Sequence, residues 1–148
     1  MTNRNPLALE EQVCFALAVA SRQVVAAYRS VLEPLGLTHP QYLVMLALWE
    51  HGELSVKRLS ETLHLDPGTL SPLLKRLETA GLVSRTRSAA DERVLVVRPT
   101  PQGSALRRDA LQVPGTMLAR LGMDESDLTA TNAVLHRIID AAHESVTV

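Results

Sequence analysis

Cys14 is the single cysteine of a 148-residue chain, and two tyrosines, Tyr28 and Tyr42, accompany it. A lone thiol among alanines, valines and leucines has two readings. It packs as a small hydrophobe, or, as the thiolate, it is a nucleophile open to oxidation. With one cysteine an internal disulfide is excluded.

The spacing to Tyr28 adds chemical content. Fourteen helical residues cover about 21 Å at ~1.5 Å each, and at ~100° per residue the two side chains share a face to within about 40°. They cannot meet on one helix. An antiparallel copy of the same helix would bring Tyr28 of one subunit beside Cys14 of the other, where a phenol hydroxyl would hydrogen-bond to the thiolate and favour it.

These residues need a long helix. Apolar or small residues recur at Val13, Leu17, Ala20, Val24, Ala27 and Val31, a 4,3,4,3,4 spacing. A second seam runs beside it through Cys14, Ala18, Ser21, Val25, Tyr28 and Leu32. Asn5-Pro6 offers a cap and a first-turn proline, so the helix is expected to begin near Pro6 and to end at Glu33-Pro34-Leu35-Gly36. Such a start would leave Cys14 beyond the reach of the helix dipole.

Further elements follow from capping residues. Thr38 and Gln41 fit a capping box for a helix to about Glu50. Ser55 caps Val56 to Leu63, and His64-Leu65-Asp66 forms a turn. The next helix is expected to begin at Gly68 or Thr69, with Pro72 in its first turn, and to close at Ala80-Gly81. Leu82–Arg87 and Arg93–Arg98 read as a hairpin about the polar turn Ser88–Glu92. Thr100-Pro101 starts a helix running to about Val113, broken at Pro114-Gly115. Asp124 caps a last one, Leu128 to about His143, whose apolar side carries Leu128, Val134, Leu135, Ile138, Ile139 and Ala142. Two short helices about a four-residue turn, followed by a hairpin, make a winged helix-turn-helix.

Composition narrows the function class. Hydrophobic residues at 46% and charged ones at 21% fit a globular chain, and 3% aromatics with abundant Ala, Val and Leu favour helices packed on helices. No apolar run reaches the ~18 residues of a membrane span, and Met1 to Leu9 has no signal-peptide pattern. A cytoplasmic location and no membrane partner are therefore expected. Net charge is −1, yet Lys57 to Arg98 holds eight basic and five acidic residues. A basic centre between acidic flanks suits one phosphate-facing surface.

A helix fits the major groove. Pro67, Gly68, Thr69 and Ser71 would lie in its first turn, near base edges and phosphates, with Lys75 and Arg76 one turn on. Leu70, Leu73, Leu74 and Leu77 would face inward. The hairpin would carry Arg85, Arg87 and Arg93 forward, an arginine at its tip entering the minor groove, and Asp91 would steady the wing by pairing with an arginine.

"DPGTLSPLLKRLETAGLVSR" followed by "DERVLVVRPTPQG" resembles the MarR family of transcription factors. "EEQVCFALAVASR" and "AYRSVLEPLGLTHPQYLVMLALWEHGELSVKRL" extend the likeness to its organic-hydroperoxide-sensing repressors, of the one-cysteine type. The resemblance implies a single domain, 1–148, mainly α with a small β-hairpin. Dimerisation helices would lie at about 6–34 and 101–145, and a winged helix-turn-helix at about 38–99. It implies a homodimeric repressor on double-stranded DNA with an inverted-repeat operator, no enzyme, and no cofactor or metal. Cys14 would be the redox sensor, oxidised by organic hydroperoxide and capped by a low-molecular-weight thiol. Tyr28 would support the thiol from the other subunit. Ala18 and His39 stand where some members carry further tyrosines, and His39 can still donate a hydrogen bond. Tyr42 is expected to be structural, its ring on the dimer helices.

Three other readings are distinguishable. A MarR-type repressor could answer a small lipophilic or aromatic ligand, with Cys14 structural. A one-cysteine thiol peroxidase would need Thr or Arg near the thiol in a loop, which the sequence lacks. A metal sensor would draw on His39, His51, His64, His136 and His143, which have no partners at ligand spacing.

Overall fold

The computed structural model describes residues 4–146. In chain order the elements are α1 (Val13–Leu32), α2 (His39–His51), β1 (Leu54–Ser55), α3 (Val56–Leu63), α4 (Pro67–Thr79), β2 (Val83–Arg87), β3 (Leu95–Pro99), α5 (Pro101–Ala110), α6 (Val113–Arg120) and α7 (Glu125–Val146). Short 3-10 turns precede α1 at Leu9–Glu11 and follow it at Glu33–Leu35. The chain forms two units, residues 28–111 and residues 4–27 with 112–146.

Local chemistry starts each helix of the 28–111 unit. The Thr38 hydroxyl accepts from the Gln41 N–H at 3.4 Å while the Gln41 side chain accepts from the Thr38 N–H at 2.9 Å, a complete capping box. Ser55 accepts from the Arg58 N–H, Asp66 from that of Thr69, and Thr100 from that of Gly103. The Thr38, Ser55 and Thr100 caps lie where the sequence placed them, whereas Asp66 was read as part of a turn.

The sheet is antiparallel with order β1-β3-β2. β2 and β3 pair from Val83 opposite Pro99 to Arg87 opposite Leu95. β1, which the sequence did not reveal, pairs Leu54 with Val97 and Ser55 with Val96. Two residues are too few to show alternation. Under the sheet lies a core of Leu32, Val44, Met45, Leu48, Leu59, Leu70, Leu74, Leu77 and Val97, all fully buried.

The start of α5 is fastened to the α4–β2 link. Thr100 donates its N–H to the Leu82 carbonyl and its hydroxyl to the Gly81 carbonyl, and Trp49 Nε1 donates to the Gly103 carbonyl at 2.9 Å. Gly103 passes so close that a Cβ there would lie 2.0 Å from the Leu82 carbonyl oxygen. Only glycine fits that crossing.

Five boundaries differ from the sequence reading. α1 begins at Val13, not near Pro6, because Gln12 is extended and its side-chain amide donates to the Pro6 and Ala8 carbonyls, holding residues 6–12 as a separate turn. α4 begins at Pro67 with Asp66 as its cap, so Pro72 is inside the helix rather than in its first turn. The break after α5 comes at Leu111-Gln112, and Pro114 opens α6 at its second position instead of ending a helix, a site where a missing N–H costs nothing. The second arm of the hairpin starts at Leu95, since Arg93 belongs to the turn. α7 starts at Glu125, three residues before Leu128, capped by Asp124, which accepts from the Asp127 N–H at 2.8 Å.

Among the described residues of the other unit only Val113 and Met117 are buried. Phe15, Val25, Val134 and Ile139 are exposed, and α7 buries no residue. Cys14 is likewise exposed in its own chain, not packed as core.

Candidate nucleic-acid interface and cysteine site

α4 divides sharply. Leu70, Leu73, Leu74 and Leu77 are buried, and Pro67, Gly68, Thr69, Ser71, Pro72, Lys75, Arg76 and Thr79 are exposed. At ~100° per residue, Gly68, Pro72, Lys75 and Thr79 lie within about 30° of the line opposite the leucines. Ser71 and Arg76 flank that line. Lys75 and Arg76 form no ion pair among the described residues, so both cations are available to phosphate. Asp66 closes the first turn: it accepts from the Thr69 N–H at 2.9 Å and from its hydroxyl at 2.9 Å. These bonds, the backbone one foremost, hold its carboxyl below the usual aspartate range.

The arginines of the hairpin have different employments. Arg85 Nε binds the Glu78 carboxylate at 2.6 Å, tying β2 to the end of α4. Arg98 pairs with Glu53 at 3.0 Å. Arg87 donates to the Glu92 carbonyl at the base of the turn. At the tip, Asp91 Oδ1 accepts from the Arg93 N–H at 3.0 Å and from Arg93 Nε at 3.2 Å. The Arg93 side chain is still 91% exposed. Asp91 thus sets the direction of an arginine that remains open to solvent.

Tyr28, His39 and Tyr42 form an aromatic cluster. The Tyr28 ring centroid is 4.9 Å from that of His39 and 5.9 Å from that of Tyr42, both pairs tilted. Burial lowers the pKa of His39 and raises that of Tyr28. Tyr42 is raised by burial and by Tyr28. The cluster is therefore uncharged near neutrality. Tyr42 packs against α1 of its own chain.

Cys14 is the second residue of α1. The N–H groups of that first turn have no intrahelical acceptor, and the positive end of the helix dipole lies there. Along α1 the seam of Cys14, Ala18, Ser21 and Val25 is exposed, whereas Tyr28 is half-buried and Leu32 fully so. Among the described residues no three His, Cys, Asp or Glu side chains gather as a metal site.

The sequence profile of the MarR family matches residues 37–95. Over 136 residues, 92% of each chain, the sequence is 41% identical to the organic hydroperoxide resistance transcriptional regulator of Bacillus subtilis strain 168. The chain belongs to the MarR family. Reduced AbfR bound to DNA, a Staphylococcus epidermidis protein, superposes with a TM-score of 0.82 at 29% identity, covering 93% of this chain and 94% of that one. CouR from Rhodococcus jostii RHA1, bound to p-coumaroyl-CoA, gives 0.76 at 28% identity, covering 89% and 94%.

This MarR-family transcriptional regulator has the mainly α, winged-helix architecture that the order of its capping residues and hairpin implied. Neither Glu78 nor Pro72 was among the residues that the sequence reading assigned to the interface. Nothing local marks Glu78 as the partner of Arg85, seven residues away across a turn. Pro72 had a signal, since it lies four residues after Gly68 and three before Lys75, on one helical face.

Proposed function

We propose that the chain works as a homodimeric repressor that binds an inverted-repeat operator and releases it when organic hydroperoxide oxidises Cys14. The observation that carries this reading is the 41% identity over 92% of both chains to a regulator of organic hydroperoxide resistance. An exposed cysteine in the first turn of α1 supports it. The reaction is simple. The Cys14 thiolate attacks the distal peroxide oxygen, the O–O bond breaks, and the alkoxide leaves and takes a proton to become an alcohol. Cys14 becomes a sulfenic acid. With no second cysteine, a low-molecular-weight thiol condenses with it, giving a mixed disulfide and water.

The uncovered seam of α1 and the exposed Val134 and Ile139 of α7 support pairing of two copies through these helices. In an antiparallel α1 pair, Tyr28 of one subunit would approach Cys14 of the other, with His39 behind it. Polar bulk added at Cys14 would disturb that pairing and the half-site spacing that a two-fold dimer must match. In the dimer, α4 would enter the major groove through Pro67, Gly68, Thr69, Ser71, Lys75 and Arg76. Arg93, aimed by Asp91 and backed by Arg87, would enter the minor groove. Arg85, held by Glu78, serves the cohesion of the module.

The test is Cys14→Ser with cumene hydroperoxide, read by release of operator DNA and by intact mass with and without a small thiol. Wild type should gain one oxygen or one thiol adduct as it dissociates, and the serine variant should stay bound. A serine variant that still dissociates overturns the redox reading. It would favour a second one, a small lipophilic effector with Cys14 structural. That alternative draws on a cleft of about 430 Å3 lined by Leu35, Gly36, Leu82, Gln102, Leu106 and Asp109 among others.

A further inference from the structure

Proline inside a helix removes an N–H and presses its ring against the carbonyl four residues back. In α4 the proline is Pro72 and the carbonyl is that of Gly68. That oxygen has lost its i+4 donor, and solvent-side carbonyls of a helix tilt outward in any case. Gly68 and Pro72 both sit on the outward midline of α4, with the unpaired cations Lys75, on that line, and Arg76, beside it, one turn on. Gly68 has no side chain to screen its carbonyl, and a Cβ there would press on the capping carboxylate, 3.1 Å from Asp66 Oδ1. Beside the proline is an open depression lined by Pro72, Lys75, Arg76 and Thr79. An acceptor that lacks its i+4 donor and an apolar dimple thus stand side by side, with two phosphate-seeking cations one turn on.

We propose that the Gly68 carbonyl and the Pro72 ring together read one A·T pair in the major groove of each half-site. The carbonyl accepts from the exocyclic N6 amine of adenine, and the dimple beside Pro72 receives the 5-methyl group of the paired thymine. Only A·T offers both features: cytosine supplies an amine without a methyl, and guanine sets its O6 acceptor against the carbonyl. Lys75 and Arg76 hold the helix on the backbone, and the pair Gly68–Pro72 supplies discrimination. This assignment rests on α4 being the groove-reading helix.

The experiment uses the full-length protein and a pool of duplexes with both half-sites randomised as inverted repeats. Wild type should require A·T at one position per half-site by about tenfold, the worth of one specific base contact. Pro72→Ala restores the N–H and deletes the ring, and should lose the preference at that position alone. In the selected site, purine for the adenine and uracil for the thymine should each weaken wild type several-fold and leave Pro72→Ala indifferent. Pro72→Val, which restores the N–H but keeps an apolar branch, should respond to uracil and not to purine. A Pro72→Ala profile identical to wild type, or a loss spread evenly over all sequences, overturns the proposal. Wild type enriching no sequence at all would instead overturn the reading of α4 as the DNA-contacting helix, and this proposal with it.

Discussion

The rings of Tyr28 and His39 lie 4.9 Å apart and tilted by 49°, which ties the end of α1 to the start of α2. Both are half-buried, and burial disfavours the charged form of each.

Stability should therefore depend on pH at both ends. The folded chain holds His39 with a pKa below 6.5, so its contribution is complete above about pH 6.5 and is lost as pH falls from there toward the lowered value. Tyr28 and Tyr42 are raised above 10, so their contribution is complete below pH 10 and is lost as pH rises through the raised values. Thermal melts at pH 5, 6, 7.5 and 10.5 check both limbs. His39→Phe should flatten the acid limb and leave the alkaline one.

Tyr28→Phe keeps the ring of the cluster and deletes only the hydroxyl. If that hydroxyl supports the partner's thiolate, oxidation of Cys14 by cumene hydroperoxide should slow by about tenfold, the scale of one hydrogen bond to a charged group. Affinity of the reduced protein for DNA should hold. Stopped-flow trapping of the sulfenic acid measures the rate, and an unchanged rate removes Tyr28 from the sensing step.

Gly103→Ala should destabilise the winged-helix unit by about 1–3 kcal/mol or prevent folding, since the new Cβ would meet the Leu82 carbonyl oxygen at 2.0 Å. Trp49, whose indole N–H is held by the Gly103 carbonyl, is the only tryptophan and reports the change by fluorescence during urea unfolding.

Pro72→Ala should do the opposite for folding. Removing an interior proline at an exposed helical position stabilises by about 1–3 kcal/mol, a rise of several degrees in Tm. Gain of stability with loss of base preference in one variant is the signature of a residue kept for reading rather than for folding.

Arg93→Ala should weaken binding most where the wing meets a narrow, A·T-rich minor groove and lower the salt slope by about 1 for each subunit that loses the arginine. Asp91→Ala should follow it in direction, because Asp91 orients Arg93 through two hydrogen bonds. Titrations at three salt concentrations separate this from loss of folding.

Much of the fold was legible because its signals are local. Thr38, Ser55 and Thr100 each cap a helix with a side-chain oxygen that reaches only three residues, so a cap can be read from its neighbours. The leucines of α4 declare their buried face by spacing alone. The MarR-family likeness is carried by this same run of caps, leucines and hairpin.

What lay beyond reach depended on contacts between residues far apart or on competition among local options. Asn5-Pro6 is a sound helix start, yet the Gln12 side chain satisfies carbonyls that a continuous helix would use, and α1 starts at Val13 with Cys14 in its first turn. β1 exists because Val96 and Val97 offer it an edge. Arg85 and Arg93 look alike as letters; Glu78 turns one into a strut and Asp91 makes the other a pointer. The sequence by itself determined which helices form and which faces are apolar, since turns and periodicity are encoded within a few residues. Where Cys14 sits on its helix end turned on a local competition that Gln12 won, while tertiary structure decided which arginine becomes a strut and that the Gly68–Pro72 face of α4 looks outward, because each follows from which group reaches a partner first.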